Sequence, residues 1–285
     1  MTKFFINYMF NFYHKIHSIR FTWCKWILIG FSIFISIILL LIPLIMVFVY
    51  ALSEGLKSVG LNLLNRDMMH AIFLTIIMII IALPINMLFG LSVSWLVTRF
   101  KFYGSQLFLI LFNMPVAVSP VIVGLLYLLC YSDTSFIGSW LDLYNIQIIF
   151  TWFGIALVTV FITCPFVVNE LIPVMISQGR QEDEAAVLLG ASGWVMFRYV
   201  TFPNIRWALL YGVIITNARI IGEFGAVSIV SGLIRGETYT LPLYIELLYQ
   251  DYNTVGAFTA ASLLALTSII ILFIKNYLKS RLKKC

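Results

Sequence analysis

Residues 71–97 read Ala71-Ile72-Phe73-Leu74-Thr75-Ile76-Ile77-Met78-Ile79-Ile80-Ile81-Ala82-Leu83-Pro84-Ile85-Asn86-Met87-Leu88-Phe89-Gly90-Leu91-Ser92-Val93-Ser94-Trp95-Leu96-Val97, which is 27 positions without a charge. About 20 apolar helical residues cross the roughly 30 Å hydrocarbon core of a bilayer. The stretch is therefore predicted to span a membrane. Working outward, five more runs meet the same condition: Ile27 to Tyr50, Gln106 to Tyr131, Ile148 to Leu171, Trp207 to Ser231 and Ala257 to Ile274. The fold class expected is an all-α integral membrane protein with six transmembrane helices. Several runs reach about 36 to 40 Å at 1.5 Å per residue, so tilt or unwound ends are expected.

Composition agrees. Of 285 residues, 62% are hydrophobic and 11% charged, against about 25% charged in a soluble domain. A soluble enzyme, a disordered chain and a nucleic-acid reader are excluded. The first run follows a basic tail, and Val49-Tyr50-Ala51 has the look of a cleavage site. At 24 residues, however, the run exceeds the roughly 7 to 15 of a signal-peptide core. It is expected to remain as an anchor helix.

The formal charge of +6 is a question of position. Fourteen of the 18 lysines and arginines fall in the N-terminal tail, the second and fourth connections and the C-terminal tail, with Arg99, Lys101, Arg180, Arg198 and Arg206 in the connections. Lys57, Arg66 and Arg235 are the three on the other side, and Arg219 lies inside a span. This bias predicts both termini in the cytoplasm. The excess charge then needs no nucleic acid as partner. The tail from Phe4 to Phe21 mixes aromatics with bases, so it either lies on the inner leaflet or only sets orientation.

Catalytic chemistry finds little support. The histidines are His14, His17 and His70, with no H-E-x-x-H pair, and Cys24, Cys130, Cys164 and Cys285 form no C-x-x-C pair. No metal site, nucleophile–base pair or Gly-x4-Gly-Lys phosphate loop is expected. Asn86, Asn113, Pro115, Ser119 and Pro120 read as packing or kink positions, and the loop from Gly232 to Gly256 as a solvated connection.

Two polar features stand out. The first is the long fourth connection, Met175 to Asn204, whose middle is Gln181-Glu182-Asp183-Glu184-Ala185-Ala186-Val187-Leu188-Leu189-Gly190-Ala191. Acidic residues suit the positive N-terminal end of a helix, and Gly190 suits its stop. Glu184, Ala185 and Ala186, three residues, Gly190, nine residues, then Val200-Thr201-Phe202-Pro203 follow the pattern E-A-A-x3-G-x9-I-x-L-P. That pattern resembles the coupling motif of ABC importer permeases. The resemblance implies a type I (MetI-like) permease bundle whose coupling helix docks on an ATPase, with Glu184, Ala185, Ala186, Gly190 and Pro203 as the coupling residues.

The second feature is Thr216-Asn217-Ala218-Arg219-Ile220-Ile221-Gly222-Glu223-Phe224-Gly225 in the fifth span. Arg219 and Glu223 are one turn apart and can pair. Arg219 lies 13 residues past Arg206, about 20 Å into the membrane. A central arginine costs about 2.5–3.5 kcal/mol on translocon scales, so it is expected to face the bundle interior or a water cavity. Thr216, Asn217, Arg219 and Glu223 are thus candidates for an anion pathway. A purely structural ion pair is the alternative, and the two are compatible. Gly222 and Gly225 would allow close packing in either case.

The segments Thr163 to Val168, Pro203 to Gly212, Gly222 to Val227, Arg235 to Thr238 and Gln250 to Thr254 are similar to the W subunits of bacterial sulfate/thiosulfate ABC importers. The family implies transport without enzymatic activity in this chain. Its partners would be a homologous permease (the T subunit), two ATPase subunits and an extracytoplasmic sulfate-binding protein. Membrane lipid would surround it, with no cofactor and no metal. A molybdate-type oxyanion importer and a secondary anion carrier are the alternatives. The expected division is a cytoplasmic tail at 1–26, a first helix at 27–50, a permease core at 67–274 with the coupling loop at 175–204, and a second cytoplasmic tail at 275–285. The expected location is the bacterial inner membrane.

Overall fold

The computed structural model describes residues 25–100 and 102–282, with side chains as far as residue 277. Residues 1–24, Lys101 and the end of the C-terminal basic tail, on which parts of the charge argument fall, lie outside that description. Helix α1, Lys25–Ala51, forms one unit by itself. Most of its apolar side chains are exposed, as suits a helix that is hydrophobic all round and solvated by lipid. Its middle, Ile37–Leu41, widens to a π-turn directly after Ser36, whose hydroxyl donates to the Ser32 carbonyl at 2.8 Å. Such back-bonding is a common cause of local helix distortion.

The second unit holds the remaining helices: α2 (Leu56–Leu63), α3 (Arg66–Arg99), α4 (Ser105–Phe112), α5 (Met114–Ala117), α6 (Pro120–Tyr131), α7 (Phe136–Asp142), α8 (Trp152–Gln178), α9 (Gln181–Leu188), α10 (Gly193–Met196), α11 (Phe202–Ile221), α12 (Gly225–Val230), α13 (Leu241–Gln250) and α14 (Thr254–Leu282). No strand occurs among the described residues. Two of the long ones, α3 and α8, have recognisable starts. The Asn65 side chain accepts from the Asp67 amide at 3.1 Å, and Thr151 accepts from the Gly154 amide. Both satisfy amides that the first helical turn leaves open.

Helices α3 and α8 lie along one another, and α11 packs on both. The approach of α3 to α8 depends on Gly90, where a Cβ would sit 2.6 Å from Val167 Cγ1. Asn86 is fully buried at this seam and donates to Thr163 Oγ1 at 2.6 Å, so the packing reading of Asn86 holds. One core cluster gathers Met68, Met78, Ile155, Val158, Val227 and Leu243. A second gathers Val167, Leu171, Met175, Ile205, Ala208 and Leu209.

Among the described residues four helices are long and apolar enough to cross a membrane: α1, α3, α8 and α14. The pair α6 and α7, bent by 55°, makes a fifth if taken together. Two expected spans are discontinuous. The third, 106–131, is divided into α4, α5 and α6. Pro115 and Pro120 have no amide to donate, and proline pushes the residue before it out of the helical region. Ser119 accordingly has ψ 134°. The fifth breaks after Ile221 and resumes at Gly225.

The fourth span starts later than expected, at Trp152, and continues to Gln178, so Met175 is a buried helix residue and no part of the connection. The stretch 232–256 is no solvated loop. Helix α13 occupies its centre and buries Leu241, Leu243, Tyr244 and Leu248.

Candidate functional site

Helix α9 begins with Glu182, Asp183 and Glu184 in its first turn. It ends in a Schellman motif: the Ala191 amide donates to the Ala186 carbonyl at 3.0 Å, and the Gly190 amide to Val187 at 2.9 Å. Gly190 has φ 85°, and no atom lies within 4 Å of where its Cβ would be. Backbone conformation, and not crowding, requires the glycine there. Glu184 and Ala185 are exposed and Ala186 is half-buried. Val187, Leu188 and Leu189 stand out at 56%, 88% and 88% exposure. Trp194, Val195 and Tyr199 further along the connection are exposed as well, and exposed apolar surface of this kind is the pattern of an interaction site. A groove of about 530 Å³ beside α9 is lined by Trp95, Phe100, Val187, Leu188 and Met196 and by the charged Arg99, Arg180, Asp183 and Glu184.

The inner side of α9 is held by charge. Asp183 is buried, and its Oδ2 lies 2.7 Å from Nε of Arg99, the last residue of α3. Its Oδ1 accepts from the Thr201 hydroxyl at 3.1 Å. Thr201 closes the π-turn Phe197–Thr201 that leads into α11. Arg99 also donates to the Gly179 carbonyl at 2.6 Å, and Arg180 donates back to the Thr98 carbonyl at 2.8 Å. Outside this knot Asn204 donates to Glu182, and Gln178 donates to the Asn204 carbonyl at 2.9 Å. Pro203 is the second residue of α11, directly after the π-turn Phe197–Thr201, and has no amide to donate back into that turn. The motif residues are thus brought to one place, but sequence reasoning missed Asp183, Arg99 and Thr201. In the sequence Arg99 reads only as one of the topology-setting bases.

At the break in the fifth span, Arg219 lies in the last turn of α11 and Glu223 just beyond it. Arg219 Nη2 is 3.0 Å from Glu223 Oε2, and Glu223 Oε1 accepts from the Ala226 amide at 3.3 Å. One carboxylate therefore ties the guanidinium to the start of α12. Glu223 is 2% exposed, whereas the Arg219 side chain is 34% exposed. Thr216 is fully buried, so it does not share the exposure of Arg219. The Thr216 hydroxyl and Asn217 Oδ1 have no hydrogen-bond partner among the described residues.

The two broken spans meet. A Cβ on Gly225 would come within 3.2 Å of Pro120 and Val121, and one on Gly124 within 2.8 Å of the Ala226 carbonyl. Gly222 differs, being exposed with only the Ala218 carbonyl nearby at 3.7 Å, so close packing does not explain it. On the far side of the unit, Arg235 Nε lies 2.9 Å from Asp67 Oδ2, and its Nη1 3.7 Å from Asp251. The hydrogen bond to Asp67 holds the guanidinium above the usual arginine range.

Comparisons with known proteins bear on these features. The chain is 62% identical to the sulfate transport system permease protein CysW of Escherichia coli (strain K12) over 261 residues, 92% of this chain and 90% of that protein. It is 32% identical to the sulfate transport system permease protein CysT of the same organism, over 89% of this chain and 91% of that one. The crystal structure of a bacterial alginate ABC transporter, in complex with a periplasmic protein carrying an alginate pentasaccharide, contains a chain that superposes with a TM-score of 0.79. That match covers 94% of this chain and 97% of the other at 18% identity, and is a likeness of fold alone. Residues 86–284 match the family described as binding-protein-dependent transport system inner membrane component. Spanning both α9 and the broken fifth span, that match together with the identity to the sulfate permeases establishes that the chain belongs to this family of ABC-transporter permeases.

Proposed function

We propose that this chain is the pore-forming W-type permease subunit of an ATP-driven sulfate/thiosulfate importer. The observation that carries the reading is the E-A-A helix itself. It is capped at Gly190, apolar and exposed at Val187, Leu188 and Leu189, and fastened from behind by a buried ion pair. This is the form expected of an element that meets a motor protein on one side and the bundle on the other. The greater identity to the W-type than to the T-type relative supports the choice of subunit.

In this reading the chain crosses a bacterial inner membrane six times, counting the broken third and fifth spans, with both termini cytoplasmic. The two tails lie at 1–26 and 275–285, and the permease core covers 67–274. The T subunit supplies the other half of the pore, two ATPase subunits take the E-A-A helices of the two permeases, and an extracytoplasmic sulfate-binding protein delivers the anion. Glu184, Ala185 and Ala186 present the helix, while Gly190 and Pro203 bound the coupling segment. Arg219 offers positive potential to the anion, and Glu223 holds the guanidinium in place.

The test is purification of the complex in mild detergent, followed by uptake of labelled sulfate into vesicles. ATP-dependent uptake, with an ATPase and a second permease co-purifying, is the expected result. Uptake without ATP would favour a secondary carrier. Competition by molybdate, but not by thiosulfate, would favour the molybdate-type alternative.

A further inference from the structure

The charge knot behind α9 has a feature that ATPase docking does not require. Asp183 is 8% exposed, so little of it is left for a partner to grip, although it borders the groove beside α9 together with Arg99 and Arg180. Each of its oxygens serves a different element. Oδ2 takes Arg99 at the end of α3, and Oδ1 takes Thr201 at the entry to α11. Asp183 itself rides on α9, which follows α8 after only Gly179 and Arg180.

Those two connecting residues are pinned as well, the Gly179 carbonyl by Arg99 and the Arg180 guanidinium by the Thr98 carbonyl. One carboxylate and two crossed arginines therefore join the ends of α3, α8 and α11 to a single short helix. Both members of the ion pair are about one-tenth exposed. At that burial the pair is shielded from salt, and removal of one partner leaves the other uncompensated.

We propose that Asp183 is a positioning residue for transport: through Arg99 and Thr201 it makes any displacement of α9 a displacement of α3 and α11 together. Displacing α9 alone would separate a buried charge pair. Tilting the three helices with it leaves every bond in the knot intact. The second route conducts motion from the surface helix to the break at Gly222–Phe224, because α11 runs directly to that break. The inference rests on α9 being the ATPase-docking helix, as proposed above.

The experiment uses the complete importer in proteoliposomes with the sulfate-binding protein and labelled sulfate. It reads ATP hydrolysed per sulfate imported, and ATPase subunit retained per permease. A wild-type complex that retains no ATPase or imports no sulfate would refute the functional reading itself. Given a working wild type, Asp183→Asn removes the charge but leaves an oxygen for Thr201. It is expected to retain the ATPase subunit while ATP spent per sulfate rises about tenfold, the size of effect that a coupling loss of about 1.4 kcal/mol gives.

Arg99→Lys, which keeps the charge but loses the planar fork, and Thr201→Val are expected to raise the ratio less, and Asp183→Glu to restore it in part. A purely structural role would lower hydrolysis and transport in proportion and leave the ratio unmoved. A wild-type ratio in Asp183→Asn overturns the proposal, as does loss of the ATPase subunit in step with transport. Should Asp183→Asn fail to accumulate, Arg99→Lys and Thr201→Val decide the matter: raised ratios support the coupling role, and wild-type ratios overturn it.

Discussion

Among the described residues two arginine–carboxylate pairs have a buried carboxylate, and they differ in how the arginine is held. Arg99–Asp183 joins residues far apart in the chain, both about one-tenth exposed, and Arg99 also spends a donor on the Gly179 carbonyl. Arg219–Glu223 joins neighbours across the end of one helix, and only its carboxylate is sealed away. The first arginine is enclosed by the protein it ties together. The second leaves a third of its side chain uncovered by this chain, which the proposed function reads as access for an anion. The same chemical pair is thus enclosed on both sides in one place and on its carboxylate side alone in the other. What separates them is the environment of the arginine, since both carboxylates are buried and doubly engaged.

The sharpest way to break this comparison is Arg219→Ala. Removing one partner of a buried pair costs about 3–5 kcal/mol, so complex yield and sulfate uptake are both expected to fall steeply. Unchanged uptake, yield and ATPase activity together would remove Arg219 from the pathway. Adding Glu223→Gln to that variant separates the two roles. The double variant is expected to recover yield, because no stranded carboxylate remains, but not uptake; recovery of uptake would make the pair structural only.

At the other site, Gly190→Asp forces a left-handed residue at a helix stop, a cost of about 1–2 kcal/mol, and Glu184→Lys inverts a charge on the exposed first turn. Both are expected to release the ATPase subunit or uncouple transport, read by co-purification and uptake. Wild-type behaviour in both variants would mean that α9 is not the docking element.

A smaller contrast lies within the break. Gly225→Ala crowds Pro120 and Val121, and overpacking of this kind costs about 1–3 kcal/mol. It is expected to lower the thermal midpoint of the purified complex. Gly222→Ala meets only the Ala218 carbonyl, at an ordinary contact distance, and is expected to shift that midpoint least of all. Equal shifts for the two would mean that the third and fifth spans do not meet at Gly225.

Much of this was legible in the linear chain, for identifiable reasons. Long uncharged runs such as 71–97 declare themselves because burying apolar surface in lipid depends on composition and length alone. The E-A-A helix was legible because its signals are local: acids in the first turn and a glycine stop at Gly190. Arg219 and Glu223 were legible because helical spacing puts them together. Pro115 and Pro120 were visible as breakers, yet read only as kinks. Whether a proline bends a helix or ends it depends on what receives the freed carbonyls. The stretch 232–256 read as a solvated loop because Arg235, Glu237, Glu246 and Asp251 punctuate it, although Leu241, Leu243, Tyr244 and Leu248 of α13 are buried.

Sequence by itself therefore determined that the chain is an all-helical membrane protein, where its principal apolar runs lie, and that a capped helix stands between its fourth and fifth apolar runs. Tertiary structure alone decided that Asp183 meets Arg99 and Thr201, that Thr216 is sealed while Arg219 is open, and that the breaks at Ser119 and Gly222–Phe224 lie against one another. The division follows from range. Hydropathy and helix capping are properties of neighbouring residues, whereas an ion pair between residues 99 and 183 exists only after three helices have packed. No local pattern carries the register of that packing.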